Sequence, residues 1–340
     1  MAKVRMADIA ERVGVSTVTV HNALSGQKGV SDEMREKILE VAQEMGYVQN
    51  TAAAKREKSR ELFHIGVLIS EKYLADYTTF YWKMYQEVAI LATEKRCMVA
   101  VEILKHAEED NPVLPKIVEE ATVDGLIVIG ELKRDYIAFL KQNMKQLEMP
   151  LIFLDFYDKD LAKDAVITDN FHGMYFLTEY LFDQGFTKLA YVGNIYVTSS
   201  IMDRYCGFHK SMLEHHEVLP EKWLIPDRDM EGTIEFDLPD ELPEAFVCNC
   251  DLTAGLLIMK LEEKGYRVPE DISVVGFDNY LYPGFPDKKI TSYEVNMRAM
   301  AKVALDKMLK QLKNSQSGRG LAIVAGHVVE KESVKLNKNA

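Results

Sequence analysis

Long apolar segments are missing from this chain of 340 residues, although 47% of its residues are hydrophobic. No run reaches the ~18 residues that indicate a membrane-spanning helix, so the sequence offers no candidate for one. The first residues, Met1 to Asp8, also lack the apolar core of a secretion signal. We therefore expect a cytoplasmic protein whose hydrophobic residues form buried cores.

Cysteine is scarce, and motifs for catalysis and cofactor binding are absent. No Cys or His cluster stands at metal-binding spacing, so we expect reduced thiols and no metal. There is also no Walker loop, nucleophile elbow or GxGxxG after a strand, so we expect neither an enzyme nor a cofactor. The four cysteines are Cys97, Cys206, Cys248 and Cys250.

Positive charge is in short supply overall, but it is unevenly distributed. The net charge is −12, which alone argues against a nucleic-acid binder. Residues 1–60 nevertheless hold 10 Lys/Arg against 8 Asp/Glu, which leaves −14 for the remainder. A slightly basic N-terminal unit on an acidic body can still approach phosphates.

A headpiece of three helices is predicted at this basic end, with a tight turn between the first two and the third starting after Ser31. Met6, Ile9 and Val13 recur at helical spacing. Gly14 permits the turn, and Ser16 is a good N-cap for the second helix. In a helix-turn-helix, outward residues on the first half of the second helix meet base edges. Here those residues are Thr17, Val18, His21 and Asn22.

A series of short motifs from Val4 to Asn50 is more specific than the helical pattern. They are Asp8-Ile9-Ala10, Gly14-Val15-Ser16, Thr19-Val20, Leu24, Val30-Ser31, Arg35 to Ile38 and Gly46-Tyr47. In residue identity and spacing this stretch resembles the DNA-binding headpiece of the LacI/GalR family of transcriptional regulators. The resemblance implies that Thr17, Val18 and Asn22 read bases. It also implies DNA-backbone contacts from Ser16, Thr19, His21 and Ser25.

The linker at residues 48–61 departs from that family. Gln49 stands where the family usually has Pro, and Arg56 stands where it has a Leu that enters the minor groove. Residues 51–58 have high helix propensity and lie in a basic segment. Two readings stay open: a solvated linker, or a hinge helix ordered on DNA that places Arg56 in a narrow A·T minor groove.

From Phe63 onward, apolar strands alternate with helices, which predicts α/β lobes with doubly wound parallel sheets. We expect residues 1–60 to form the headpiece and hinge and residues 61–340 a two-lobed effector-binding and dimerisation domain. The first lobe is predicted at about 62–164 and 292–322. The second is predicted at about 165–291 and 323–336.

This larger part resembles the family's regulatory domain, which looks like a periplasmic sugar-binding protein. The matching segments are Val123 to Ile127, Thr168-Asp169-Asn170, Asp203 to Phe208, Cys250-Asp251, Val275 to Asp278 and Ile290-Thr291-Ser292. The acidic run from Met230 to Asp240 fits poorly and predicts a shortened connection.

Ligands of open α/β sheets bind beyond the carboxyl ends of the strands. Polar candidates there are Ser70, Glu131, Asp155, Asp251 and Asp278, with Arg204 opening a helix. Phe80, Tyr81, Phe156 and Tyr280 are candidate ring platforms. Carboxylates, Arg and rings suit a polyol, and the resemblance favours Arg204 and Asp278. Strand-end capping, an interlobe salt bridge and lobe packing are the structural alternatives for these residues.

The sequence therefore predicts a homodimeric, operator-binding repressor controlled by a small-molecule effector, expected to be a sugar. Two alternatives keep the regulator and replace the sugar by a purine or a protein corepressor. A third is a sugar-binding protein without a regulatory role. The sign of the effector's action stays open.

Overall fold

The computed structural model describes residues 4, 6–24, 29–45, 62–74, 79–230, 232–282, 289–314 and 316–337. The chain divides into two compact units, Met1–Leu62 and Phe63–Ala340, close to the predicted division at residue 60. Among the described residues, no helix is long and apolar enough to cross a membrane.

The N-terminal unit contains the predicted helices. They are α1 (Met6–Val13), α2 (Thr17–Leu24) and α3 (Asp32–Glu44). Ile9, Val20 and Ile38, one from each helix, are fully buried in a small shared core. Gly14 takes a φ of +78° between α1 and α2, a backbone conformation that glycine adopts without penalty. The turn therefore sets α2 against α1 and leaves one face of α2 outside the core.

Strands and helices alternate through the larger unit, as the apolar pattern predicts. In chain order the strands are β1 (Phe63–Ser70), β2 (Cys97–Leu104), β3 (Gly125–Ile129), β4 (Leu151–Leu154), β5 (Ala165–Thr168), β6 (Leu189–Val192), β7 (Leu224–Ile225), β8 (Ala245–Cys248), β9 (Ser273–Asp278), β10 (Thr291–Glu294), β11 (Leu321–Val324) and β12 (Val328–Val329). The helices are α4 (Thr79–Glu94), α5 (His106–Asp110), α6 (Lys116–Glu119), α7 (Arg134–Gln146), α8 (Asn170–Asp183), α9 (Ser199–Glu214), α10 (Asp251–Glu263) and α11 (Met297–Lys313).

These strands form a separate sheet in each lobe. The first sheet has the order β11-β5-β4-β3-β1-β2, and all its pairs are parallel. The second has the order β12-β10-β9-β8-β6-β7, in which only β12 is antiparallel to its neighbour. Helices cover both faces, so most strand residues are buried. The predicted fold class is confirmed.

Two of the predicted lobe boundaries are wrong by one strand. β5 was expected to open the second lobe, but it pairs with β4 and β11 in the first sheet. β10 was assigned mostly to the first lobe, but it pairs with β9 and β12 in the second. Short apolar parallel strands look alike in sequence, so the pattern locates a strand without indicating its sheet. The chain changes lobe after β5, after β10 and after β11.

The segment after Trp223 departs from the regular alternation. β7 has only two residues, and Arg228 and Ile234 form an isolated bridge beyond it. Phe236 and Leu238 are buried in the core that also includes strand residues of the second sheet. The predicted shortened connection thus contributes to the lobe's core and brings Arg228 to the edge where the other strands end.

Candidate effector cleft and DNA-binding face

A cleft of about 140 Å³ lies between the two lobes at the carboxyl ends of their strands. The first lobe lines it with Tyr73, Phe80, Tyr81, Glu131 and Asp155. The second lobe lines it with Thr198, Ser200, Ile201, Arg204, Arg228, Asn249, Cys250, Leu252, Asp278 and Tyr282. Six of the eight predicted effector residues are thereby brought together: Phe80, Tyr81, Glu131, Asp155, Arg204 and Asp278.

Arg204 is the buried cation at the centre of this cleft. Its Nε donates to Asn170 Oδ1 at 2.7 Å, and Nη1 donates to the Asn249 carbonyl at 2.7 Å. Nη2 lies 3.7 Å from Asp278 Oδ1, and the guanidinium carbon lies 4.0 Å from the centroid of the Phe277 ring. These contacts hold the guanidinium plane in one orientation. The guanidinium N–H groups that these bonds do not use face Asp278 and the cavity.

Three carboxyl groups face the cleft, and burial raises the pKa of each. The pKa of Asp155 rises to about 6 and that of Asp278 to about 7, because desolvation outweighs the attraction of Arg204. The pKa of Glu131 is raised by burial as well. Asp155 and Asp278 also have positive φ values of 65° and 113°. Non-glycine residues rarely adopt such values, and they concentrate at functional sites.

One oxygen of Asp155 is left without a partner. Its Oδ1 is buried and has no hydrogen-bond partner within the part of the chain that the structure describes. Tyr81 forms a hydrogen bond with the same carboxyl group. An unpaired buried acceptor is unfavourable, because it has given up water without a replacement. A donor placed in the cleft would remove that penalty.

Aromatic rings close the side of the cleft where the lobes meet. The Phe80 ring lies 5.2 Å from Tyr81 and 5.8 Å from Tyr280, edge to face in both cases. Tyr280 in turn lies 4.9 Å from Tyr282. Phe156, also a predicted ring platform, packs instead in the first lobe's core, 5.9 Å from Phe153.

Glu131 Oε2 accepts from the Ser199 N–H across the lobes at 3.4 Å.

Ser70 and Asp251 lie at strand ends but do not line the cleft. The Ser70 hydroxyl donates to Glu109 Oε2 at 3.0 Å. Asp251 accepts from the Ser292 hydroxyl and from the Tyr280 N–H, each at 2.8 Å. Both residues are buried in these structural bonds. The structural alternative stated for strand-end residues therefore describes them better than effector binding does.

Sequence reasoning missed a charged network beside Arg204. Asp227 is fully buried and accepts from Arg228 at 2.6 Å, from Thr253 Oγ1 at 2.6 Å and from Asn249 Nδ2 at 2.7 Å. The Asn194 N–H supplies a further bond at 2.9 Å. These bonds and the Arg228 charge keep the pKa of Asp227 low despite its burial. The available signal was the position of Asp227 just after β7, at the carboxyl edge of a parallel sheet.

In the N-terminal unit, α2 presents its predicted DNA-facing residues away from the core. Thr17, Val18 and His21 are exposed, Val18 by 65%. The Ser16 hydroxyl caps α2 by accepting from the Thr19 N–H at 3.1 Å. Asn22 is half-buried. Ser25 and Arg56, the remaining predicted contacts, lie outside the described residues.

Arg35 of α3 fixes the end of α2. Its Nη1 donates to the Ala23 carbonyl at 2.8 Å and to the Asn22 carbonyl at 3.2 Å. The last carbonyls of a helix lack partners within the helix and carry partial negative charge, so a cation there is favourable. The arrangement holds the exposed face of α2 rigidly on the small core.

The chemistry of this cleft is that of binding through hydrogen bonds. Within the described ranges, no group of three or more His, Cys, Asp and Glu side chains is arranged to hold a metal ion. Cys250 lines the cleft beside Arg228, and the four cysteines are free thiols. Acceptors from the carboxyl groups, donors from the guanidinium groups and aromatic faces are therefore what the site offers a ligand.

Known proteins share both halves of this architecture. Residues 5–50 match the sequence model of bacterial regulatory proteins of the lacI family, and residues 178–334 match that of a periplasmic binding protein-like domain. The HTH-type transcriptional repressor PurR of Vibrio cholerae serotype O1 (strain M66-2) is 25% identical over 339 residues, 96% of this chain and 97% of that protein.

Solved structures have the same fold along nearly the whole chain. The lac repressor dimer bound to operator and the anti-inducer ONPF has a TM-score of 0.62 at 20% identity, covering 98% of this chain and 99% of its own. The regulator CelR in complex with cellobiose has a TM-score of 0.66 at 18% identity, covering 97% and 100%. With a lacI-family headpiece followed by a periplasmic binding protein-like domain, this chain belongs to the LacI/GalR family of bacterial transcriptional regulators.

Proposed function

We propose that this regulator represses transcription by binding operator DNA through α2, and that a neutral, hydroxyl-rich small molecule in the cleft controls that binding. The ligand class we propose is a sugar of about one ring. The proposal rests on the cleft's surplus of hydrogen-bond acceptors and on its size. The two arginines of the cleft are already engaged by Asp227, Asn170 and the Asn249 carbonyl.

The observation that carries the ligand class is the unpartnered Oδ1 of Asp155. A carboxylate only accepts, so its missing partner must be a donor. Asp278, close to Arg204, offers a second acceptor on the opposite lobe. Vicinal hydroxyls can donate to both acids and accept from Arg204. A phosphate group, by contrast, would bring negative charge against Glu131, Asp155 and Asp278.

The size of the cleft supports a small ligand. Its volume of about 140 Å³ is well below the ~300–1,000 Å³ of sites for drug-sized molecules. Rings from the two lobes already touch at Phe80 and Tyr280. In this closed arrangement one sugar ring fits better than two. A longer sugar would require the lobes to separate.

A thermal-shift screen of the full-length protein tests the ligand class. The panel contains neutral monosaccharides, disaccharides, sugar phosphates and purine bases, each at millimolar concentration. We expect a neutral monosaccharide to raise the melting temperature of the wild type and to have no effect on Asp155→Asn. Asp135→Asn, which changes an exposed carboxylate on α7, is the matched control and should respond like the wild type.

A purine base is the second candidate, and the rings of Phe80, Tyr81 and Tyr282 favour it. Ring N–H and amino groups could donate to Asp155 as hydroxyls do, and the rings could stack on a flat heterocycle. A thermal shift given only by purines would refute the sugar proposal. No shift by any member of the panel would count against a small-molecule effector of either class.

A single headpiece makes few base contacts, so we propose a homodimer that reads two half-sites. The solved lac repressor relative is a dimer on its operator, which supports this. We propose that the protein acts in the cytoplasm, where operator DNA is found, and without an enzymatic step. Gel filtration with light scattering tests the dimer directly.

A further inference from the structure

A second cavity, of about 590 Å³, lies at the opposite edge of the first sheet from the cleft. Its walls come from residues that lead into strands: Pro150 precedes β4, Asp164 precedes β5 and Arg319 lies shortly before β11. These positions mark the amino ends of parallel strands, whereas the cleft lies at the carboxyl ends. The two cavities are therefore separate and share no lining residue.

Gln311 of α11 lines this cavity and has an unused acceptor. The residue is 2% exposed and lines the cavity wall. Its Nε2 donates to the Gly318 carbonyl at 3.2 Å, which fixes the amide orientation, because the reverse orientation would place two oxygens together. Oε1 is then buried with no hydrogen-bond partner in the described part of the chain. The wall of the cavity thus includes a residue whose buried acceptor lacks a hydroxyl or N–H donor.

Cations surround the same cavity in a protein whose net charge is −12. They are Lys141, Lys145, Lys163 and Arg319, against the carboxylates of Glu148 and Asp164. Arg319 pairs with Asp164 at 2.6 Å, and Lys141 donates to the Asp160 carbonyl. Lys145 and Lys163 are exposed and form no ion pair with a described residue. The excess of positive charge around this cavity favours the binding of an anion.

Apolar side chains form the remaining wall. Met144 and Phe153 are buried behind the cavity, and Met149, Leu151 and Leu161 are half-buried along it. The volume lies within the ~300–1,000 Å³ range of small-molecule sites, which are typically apolar with a few placed polar groups. A simple inorganic anion would leave this wall and Gln311 unused. A flat apolar group attached to the anion would cover the wall.

We propose that this cavity binds a phosphorylated small molecule with a flat apolar part, of the nucleoside monophosphate class. The phosphate lies between Lys145 and Lys163, and the base covers the apolar wall. A donor group of the ligand bonds Gln311 Oε1. The site belongs to the first lobe alone. It is independent of the cleft and of the sugar proposed for it.

Isothermal titration calorimetry of the full-length protein with AMP, GMP, CMP and UMP tests the assignment. We expect at least one of them to bind at micromolar to millimolar concentration. The corresponding nucleoside and inorganic phosphate should each bind at least about tenfold more weakly, because each makes only part of the contacts. Gln311→Met, which removes the acceptor and keeps the apolar volume, should weaken nucleotide binding by about tenfold.

A charge-matched pair of variants locates the site. Lys145→Glu/Lys163→Glu should weaken nucleotide binding at least tenfold, whereas Lys264→Glu/Lys302→Glu makes the same charge change at exposed lysines outside the cavity and should bind like the wild type. Melting temperatures of all variants establish that they are folded. Equal weakening in both doubles would reduce the effect to net charge and overturn the assignment. Absence of binding by all four nucleotides would also overturn it.

Discussion

Arg204 Nη2 and Asp278 Oδ1 lie 3.7 Å apart across the floor of the cleft, and both side chains are less than a tenth exposed. Asp278 is the last residue of β9 and Arg204 lies on α9, so the contact joins two elements of the second lobe at its carboxyl edge. Asp155 approaches the same guanidinium from the first lobe and is affected by its charge. The Arg204 guanidinium thus interacts electrostatically with one carboxyl group from each lobe, Asp155 and Asp278.

Replacing Arg204 by Met should abolish the response to the effector and destabilise the larger unit. Breaking a buried pair from one side costs about 3–5 kcal/mol. That figure is an upper bound here, because protonation of Asp278 would relieve part of the loss. The measurement is chemical denaturation at neutral pH, together with the thermal-shift screen. Arg267→Met, which breaks an exposed pair with Asp271, is the control and should leave the free energy of unfolding nearly unchanged, because solvent screens that pair.

Asp278 should make the protein less stable as pH rises. Its pKa is raised from 3.8 to about 7, so the folded protein holds this proton more tightly than the unfolded chain does. The stabilising contribution is complete below pH 3.8 and is lost as pH rises through about 7. Each pKa unit corresponds to ~1.4 kcal/mol, so the total is a few kcal/mol.

The measurement for Asp278 is the free energy of unfolding against pH for the wild type and Asp278→Asn. The difference between the two curves reports this carboxyl group together with its effect on the pKa of Asp251, which the Asp278 charge helps to raise. The wild type should lose stability relative to the variant between about pH 4 and pH 7. Parallel curves over that range would show that Asp278 does not hold a proton in the folded state.

Much of the fold, and the correct edge of the sheets, could be predicted from the sequence. Continuous apolar strands between helices are a strong signal, and the strand-end rule brought Glu131, Asp155 and Asp278 to the cleft. The same rule cannot tell which way a side chain at a strand end points. Ser70 and Asp251 occupy equivalent positions and turn to Glu109 and Ser292 instead.

The residues that the sequence failed to indicate lie in irregular segments. Arg228 stands in the segment after Trp223 that departs from the regular alternation, and Tyr282 follows β9 in a loop. Their positions depend on tertiary contacts, such as the bonds from Asn194, Asn249 and Thr253 to Asp227 beside Arg228, and not on local periodicity. The lobe assignment of β5 and β10 failed for a related reason, because pairing partners far apart in sequence decide it.

Asn22 should contribute to the choice of operator sequence. An Asn side chain can pair bidentately with adenine, and such a pair is worth about 1–3 kcal/mol of discrimination. Asn22→Ala should therefore lower the preference at one position in each half-site, as measured by a binding-selection assay on randomised operators. Glu40→Ala, an exposed change on α3, should leave every position unchanged. An unaltered preference in Asn22→Ala would show that another residue reads that base.

Arg35 should affect DNA binding in a different way. Arg35→Met removes the donor to the Ala23 and Asn22 carbonyls, and leaves those groups without that partner at a cost of about 1–3 kcal/mol. Affinity should fall by a similar factor for every operator sequence, because α2 loses rigidity and no base contact is removed. The same binding-selection assay, read with total affinity, separates this result from that of Asn22→Ala. A change of preference at one base position would contradict the structural role.

Asp227→Asn should weaken ligand binding although Asp227 itself does not line the cleft. The carboxylate accepts from Arg228, Asn249 and Thr253, and an amide in its place would set its own N–H groups against these donors. We expect a loss of about 1–3 kcal/mol in unfolding free energy. We also expect roughly tenfold weaker binding of the neutral sugar found by the screen, because Arg228 loses its anchor. Asp240→Asn, an exposed change in the same irregular segment, should do neither. Unchanged sugar affinity in a folded Asp227→Asn protein would show that Arg228 keeps its position without this network, and would remove it from the binding site's supporting structure.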